Sequence, residues 1–184
     1  HPQKCGGTSI EGAFKWHPNY VNLIDAPHYK EYFNKLKHAS LTEQIEYVES
    51  LGHSQKDFFK FSCIRNPWDL LVSWYYFDKC KDFKAAEGSF EEYVTRRFRH
   101  QNILDMTPFF YHNGIYSIEY VIRYENYKKD AQYILDKYQV SWQDEFNTKC
   151  RPKNTTYQSI HTQKTKDMVY ENAKFVIDYF GYKF

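Results

Sequence analysis

Glycine is scarce in this chain of 184 residues: only seven are present, and two of them, Gly6 and Gly7, are adjacent. Cysteine is scarcer still. The four cysteines, Cys5, Cys63, Cys80 and Cys150, include no Cys-x-x-Cys pair, which argues against a zinc site. A Cys80 to Cys150 disulfide stays open, but a domain of this length buries roughly 70% of its unfolded surface and needs no staple. No apolar run approaches the roughly 18 residues of a membrane span, and the mean hydropathy is −0.79. Excess charge is missing too: 25 basic and 23 acidic residues leave +2, too balanced for a dedicated nucleic-acid binder. The basic clusters at 96–100 and 149–153 suit solvated faces or small polyanions. No repeat or low-complexity segment is present. Aromatic residues, by contrast, make up 20% of the chain, first a resource for core packing and second for stacking on rings or sugars.

The two adjacent glycines lie in Lys4-Cys5-Gly6-Gly7-Thr8-Ser9, followed by helix-forming residues from Ile10. Without a Cβ, Gly6 and Gly7 let the backbone turn tightly and approach a ligand, and the N–H groups opening a helix face an anion there. Lys4 and the Thr8 and Ser9 hydroxyls add charge and hydrogen bonds. A nucleoside-triphosphatase loop carries its Lys after the glycines and a hydroxyl for magnesium; here the Lys precedes them. A plain capped turn accounts for this motif alone equally well, so a second site must decide.

That second site is Phe59-Lys60-Phe61-Ser62-Cys63-Ile64-Arg65-Asn66-Pro67, continuing to Ser73 and Tyr75. Phe59–Ile64 alternates as a strand does, Asn66 suits an N-cap and Pro67 the first helical position. Arg65 therefore leaves a strand end, where ligands bind in open α/β sheets, and Ser73 sits two turns into the next helix. A solvent-facing Arg is the commoner fate of such a residue taken singly.

Together the two motifs resemble the cofactor signatures of sulfotransferases that use 3′-phosphoadenosine 5′-phosphosulfate (PAPS), closest to the carbohydrate sulfotransferases and their bacterial and viral relatives. The resemblance implies that Lys4, Cys5, Gly6, Gly7, Thr8 and Ser9 hold the 5′ end, that Arg65 and Ser73 hold the 3′-phosphate, and that Lys4 is also catalytic. Lys37-His38-Ala39-Ser40 resembles the segment that supplies a histidine base, which implies a catalytic His38, with His28 and Asp25 in reserve. Arg151, Lys153, Asn154 and Thr155 resemble a late basic loop that closes over the nucleotide. Val121–Asn126 and the ending Asp178–Phe184 also resemble the family. One departure is the order His1-Pro2-Gln3-Lys4, where relatives place Pro directly before the Lys. The chain also starts inside the motif, without the strand expected to feed the loop, and reads as an incomplete N-terminus. Implied partners are PAPS and a hydroxyl acceptor, a saccharide by family likeness, with Trp16, Trp74 and Phe109–Tyr111 as candidate linings. No metal, nucleic acid or membrane span is implied. The sequon Asn154-Thr155-Thr156, beside the expected nucleotide site, favours a cytoplasmic enzyme over a luminal one, since a glycan there would obstruct; a missing anchor would reverse this.

Along the chain, helices are expected over Thr8–Trp16, around Tyr29–Leu36, from Ser40 to about Leu51, over 88–99, over Tyr127–Tyr138 and over Gln163–Tyr179, the last buried through Met168, Val169, Phe175, Val176 and Tyr179. Tyr120–Tyr124 is a second strand, and His100–Gly114 reads as a long ordered loop. Strands separated by helices predict one α/β domain over 1–184, with a parallel-centred sheet flanked by helices in a P-loop-like three-layer fold. Two other functional classes stand beside sulfotransfer. A nucleotide kinase would need magnesium ligands that are not evident. A noncatalytic carbohydrate- or nucleic-acid-binding module would have no reason to pair the glycine loop with Arg65 and Ser73.

Overall fold

The computed structural model describes residues 1–14, 38–100, 102–142, 150–152 and 154–184. In chain order its elements are α1 (Gly7–Phe14), α2 (Leu41–Ser50), β1 (Phe61–Ile64), α3 (Pro67–Cys80), α4 (Phe90–His100), β2 (Tyr111–His112), β3 (Ile115–Tyr116), β4 (Tyr120–Arg123), α5 (Tyr127–Lys137) and α6 (Gln163–Phe180). They divide between two compact units, the first drawn from His1–Ile64 and Pro108–Phe146, the second from Arg65–Thr107 and Asn147–Phe184. The mixture of helices with a small parallel sheet is of the α/β class. The expected Tyr29–Leu36 helix, and Trp16, lie outside the described residues. No helix among the described residues is long and apolar enough to cross a membrane.

In the first unit β1 and β4 pair in parallel, Phe61 opposite Tyr120 and Ile64 opposite Arg123. Parallel neighbours need a long crossover, which the 55 or so intervening residues supply. Cys63, Ile64 and Ile122 are fully buried in this ladder. Both strands are shorter than the sequence suggests. Lys60 already spends its N–H on the Glu119 carboxylate (3.1 Å), and the chain turns into a short 3-10 helix at Tyr124–Asn126. Helix α5 then returns with Ala131, Ile134 and Leu135 fully buried, a stripe at helical spacing. The Asp130 carboxylate in its first turn accepts the Arg123 N–H at 2.9 Å and so ties the helix to the strand end. Helix α2 opens with the expected capping box: the Ser40 N–H donates to the Glu43 carboxylate (2.7 Å), and the Glu43 N–H donates to Ser40 Oγ (3.2 Å).

The long loop expected up to Gly114 is not what forms. A 3-10 turn at Thr107–Phe109 leads into the hairpin β2–β3, with Tyr111 opposite Tyr116 and His112 opposite Ile115. Asn113 (φ 49°) and Gly114 (φ 77°) make the connection, the pair of positive φ angles a two-residue hairpin turn requires. Strands of two residues are too short to show alternation.

The second unit is helical. Asn66 Oδ1 accepts the Trp68 N–H (3.0 Å) and the Asp69 N–H (3.4 Å), and Pro67 follows at the first helical position of α3, as expected. Leu70, Leu71 and Val72 are fully buried. Helix α4 opens on a Ser89/Glu92 capping box and buries Tyr93 and Val94 completely. Between α3 and α4 the Asp78 carboxylate accepts the Tyr93 hydroxyl (2.8 Å) and pairs with Arg97. Helix α6 keeps most of its expected face, with Met168 and Phe175 half-buried, and departs from it at Tyr179. Val169, Ala173, Val176 and Ile177 are buried, whereas Tyr179 is 55% exposed. The buried residues keep helical spacing (i, i+4, i+7, i+8) through a break in backbone angles at Ala173 (φ −122°, ψ 18°), and Tyr179 lies off that stripe. All four cysteines carry thiols, so the Cys80 to Cys150 disulfide is not formed.

Candidate active site

In the first unit the chain enters the glycine loop through two left-handed residues, Lys4 (φ 62°) and Gly6 (φ 88°). A non-glycine residue in that region is strained and persists only where its surroundings hold it. Space, as well as φ, demands glycine here. A Cβ on Gly6 would stand 2.5 Å from Cε2 of Tyr127, and one on Gly7 would fall 1.9 Å from Cγ of His1. The Gly6 carbonyl accepts the Ser9 N–H (3.1 Å) and the Tyr127 hydroxyl (2.6 Å). Helix α1 starts at Gly7, so the N–H groups of its first turn form the positive end of the helix. Thr8 is exposed, and Lys4 and Ser9 are half-buried. Cys5 is fully buried and its side chain belongs to the core, leaving only its backbone for a ligand. Burial likewise pushes the Cys63 thiol up to about 12, making it an inert core group.

The same unit brings His38 to the loop from 37 residues away. Its Nδ1 lies 3.1 Å from the His1 carbonyl oxygen, and the two imidazoles meet edge to face at 5.0 Å. A carbonyl can only accept, so Nδ1 carries the proton and Nε2 is the basic nitrogen. The reserve residues Asp25 and His28 lie outside the described residues.

In the second unit Arg65 is 6% exposed, not solvent-facing. Its Nε donates to Asp69 Oδ2 at 2.6 Å, and the other oxygen of that carboxylate pairs with Arg151. One carboxylate thus orients two guanidiniums from segments 86 positions apart. Ser73, half-buried, stands one helical turn beyond Asp69 on the same face of α3. Thr155 donates its N–H to the Pro152 carbonyl (3.3 Å), and Asn154 is exposed at φ 49°. Lys153 lies outside the described residues. Asn66, besides capping α3, donates through Nδ2 to the Lys183 carbonyl (3.0 Å), which ties the C-terminal segment to this helix start. His161 sits nearby with both ring nitrogens engaged, Nε2 at 3.1 Å from the Trp68 carbonyl and Nδ1 at 3.1 Å from Thr165 Oγ1. Burial lowers its pKa to about 4, so it is a neutral structural imidazole and no base.

Of the expected acceptor linings, Phe110 is fully buried, and the guanidinium of Arg97 lies 5.7 Å from the Trp74 ring centroid. Two residues were not foreseen from sequence. Asp69 follows Arg65 by four positions, a spacing that could have signalled a pair. Tyr127 carries no local signal, since its partner Gly6 is 121 positions away.

What the described side chains can do is bind anions: a lysine-bearing glycine loop with His1 against Gly7 and His38 against His1 in one unit, and two guanidiniums sharing the Asp69 carboxylate, with a hydroxyl one turn away, in the other. No curated protein and no solved structure matches the chain significantly. A sequence model described as the sulfotransferase family matches residues 3–183, a span that includes both clusters. The chain belongs to the sulfotransferase family.

Proposed function

We propose that the protein transfers the sulfuryl group of PAPS to the hydroxyl of a saccharide acceptor, and that residues 1–184 make up one sulfotransferase domain with a P-loop-like fold around its parallel strands. The observation that carries this reading is the hydrogen bond from His38 to the backbone of His1, which ties a candidate base to the segment leading into the loop of Lys4, the candidate stabiliser of leaving-group charge. The loop suits a phosphosulfate in charge, because Lys4 lies beside the N-terminal end of α1, where backbone N–H groups favour an anion. Lys4 and the backbone N–H groups of 5–8, with the Thr8 and Ser9 hydroxyls, hold the 5′ end. Arg65, Ser73 and Arg151 take the 3′-phosphate, and Lys153, Asn154 and Thr155 are assigned to the same end of the nucleotide.

In the transfer, the acceptor oxygen attacks sulfur in line and its bond to sulfur forms as the bond from sulfur to the 5′-phosphate oxygen breaks. The acceptor proton passes to Nε2 of His38. The electron pair of the broken bond stays on the phosphate oxygen, where the Lys4 ammonium meets the growing charge. The released nucleotide is 3′-phosphoadenosine 5′-phosphate (PAP). Because the protein's task is positioning and charge stabilisation, its cationic side chains suffice for the roles assigned here.

The test is transfer of radiolabelled sulfate from PAPS to a panel of saccharides. Lys4→Ala is expected to lower turnover by about 10²–10³-fold, the scale of losing one transition-state donor, with the circular dichroism spectrum unchanged. Unchanged turnover would remove Lys4 from the mechanism. Transfer to no saccharide, with transfer to a phenol or protein tyrosine instead, would overturn the acceptor class.

A further inference from the structure

The peptide between Gly6 and Gly7 has the least steric resistance to rotation of any in the loop, because neither flanking residue carries a Cβ. Its direction decides whether the loop attracts or repels an anion. In a planar trans peptide the carbonyl and the N–H point opposite ways, so whatever holds the Gly6 oxygen aims the Gly7 N–H. Rotated by half a turn, the same peptide would present an oxygen lone pair to a phosphate. The Ser9 N–H holds the Gly6 oxygen from within the loop at 3.1 Å. A second, shorter bond comes from outside it: the Tyr127 hydroxyl, at 2.6 Å. Tyr127 opens α5 directly after the turn that follows β4, so this donor stands on the rigid end of the parallel pair. Its ring packs on Gly6 so closely that no side chain fits there. Burial pushes the phenol well above its ordinary range, against hydrogen bonds from the Ser9 side chain and the Ile10 backbone, so it remains a donor throughout the working pH range.

We propose that Tyr127 is a positioning residue for sulfotransfer, locking the Gly6–Gly7 peptide so that the Gly7 N–H faces the 5′-phosphate of the donor nucleotide. The proposal rests on the PAPS reading above, and its test separates the two. PAP and 3′-AMP, which lacks the 5′-phosphate, are titrated calorimetrically against wild type and Tyr127→Phe, which keeps the ring and removes the hydroxyl. In the variant the preference for PAP over 3′-AMP falls about fivefold or more, on the scale of one hydrogen bond, while affinity for 3′-AMP is unchanged. A purely structural tyrosine would lower the melting temperature and leave that ratio intact, and an intact ratio overturns the proposal. 4-Aminophenylalanine at 127 restores a weaker donor on the same ring and is expected to recover part of the ratio. Should Tyr127→Phe not fold, the comparison is made on that chain, where a loss of about twofold is expected and an unchanged ratio again overturns the proposal. A wild-type chain with no preference for PAP over 3′-AMP would instead refute the donor reading on which the proposal stands.

Discussion

Replacing Gly6 by Ala should damage the protein in two separable ways. The first is backbone strain: at φ 88° an L-residue costs about 1–2 kcal/mol relative to glycine. The second is collision. The new Cβ would lie 2.5 Å from Tyr127 Cε2 and 3.1 Å from Cδ2 and Cζ, so the ring must retreat and the 2.6 Å bond from its hydroxyl to the Gly6 carbonyl is lost. A net hydrogen bond contributes about 0.5–1.5 kcal/mol, giving a total of roughly 1.5–3.5 kcal/mol. For a chain of this size each kcal/mol lowers Tm by about 2–4 °C, so the expected fall is roughly 3–14 °C. Gly52→Ala supplies the control. Gly52 has nearly the same φ (85°) but nothing within 4 Å of its Cβ position, so it pays strain alone. Thermal unfolding of both variants by circular dichroism measures the difference. Gly6→Ala proving no more destabilising than Gly52→Ala would refute the close approach of Tyr127 and the reasoning built on it.

Two further outcomes follow from the second unit. Arg65→Ala should weaken PAP binding by about 1.5–3 kcal/mol, with Arg151→Ala acting in the same direction, while affinity for 5′-AMP stays constant; equal losses for both nucleotides would show that neither guanidinium reads the 3′-phosphate. His161 has its pKa lowered by burial from 6.5 to about 4, so between these values the unfolded chain binds a proton that the folded one does not. Stability should therefore be fully present above pH 6.5 and decline as pH falls towards 4, and urea titrations should find a shallower decline in His161→Gln; equal slopes would mean the imidazole titrates normally in the fold.

Features written in neighbouring residues were legible in the sequence. The Ser40/Glu43 and Ser89/Glu92 boxes and the Asn66-Pro67 start of α3 need only contacts three residues apart, and the structure has all three. The Asn113-Gly114 turn was equally local, but two-residue strands offer no periodicity to flank it. Distant contacts left no trace. Nothing near Tyr127 announces a bond to Gly6, and nothing near Asp69 announces Arg151. The break at Ala173 belongs to packing, because alanine is a strong helix former. Burial carries the same lesson for Arg65, whose type predicts solvent and whose Asp69 partner permits the interior.

The most direct measurement is calorimetric titration of the wild-type protein with PAP, 5′-AMP, 3′-AMP and magnesium-ATP under one set of conditions. A sulfotransferase that grips both phosphates binds PAP with one-to-one stoichiometry and at least tenfold more tightly than either monophosphate, the loss expected for one charged contact. Binding of magnesium-ATP in preference to PAP, or equal affinity for PAP and the monophosphates, would contradict the account.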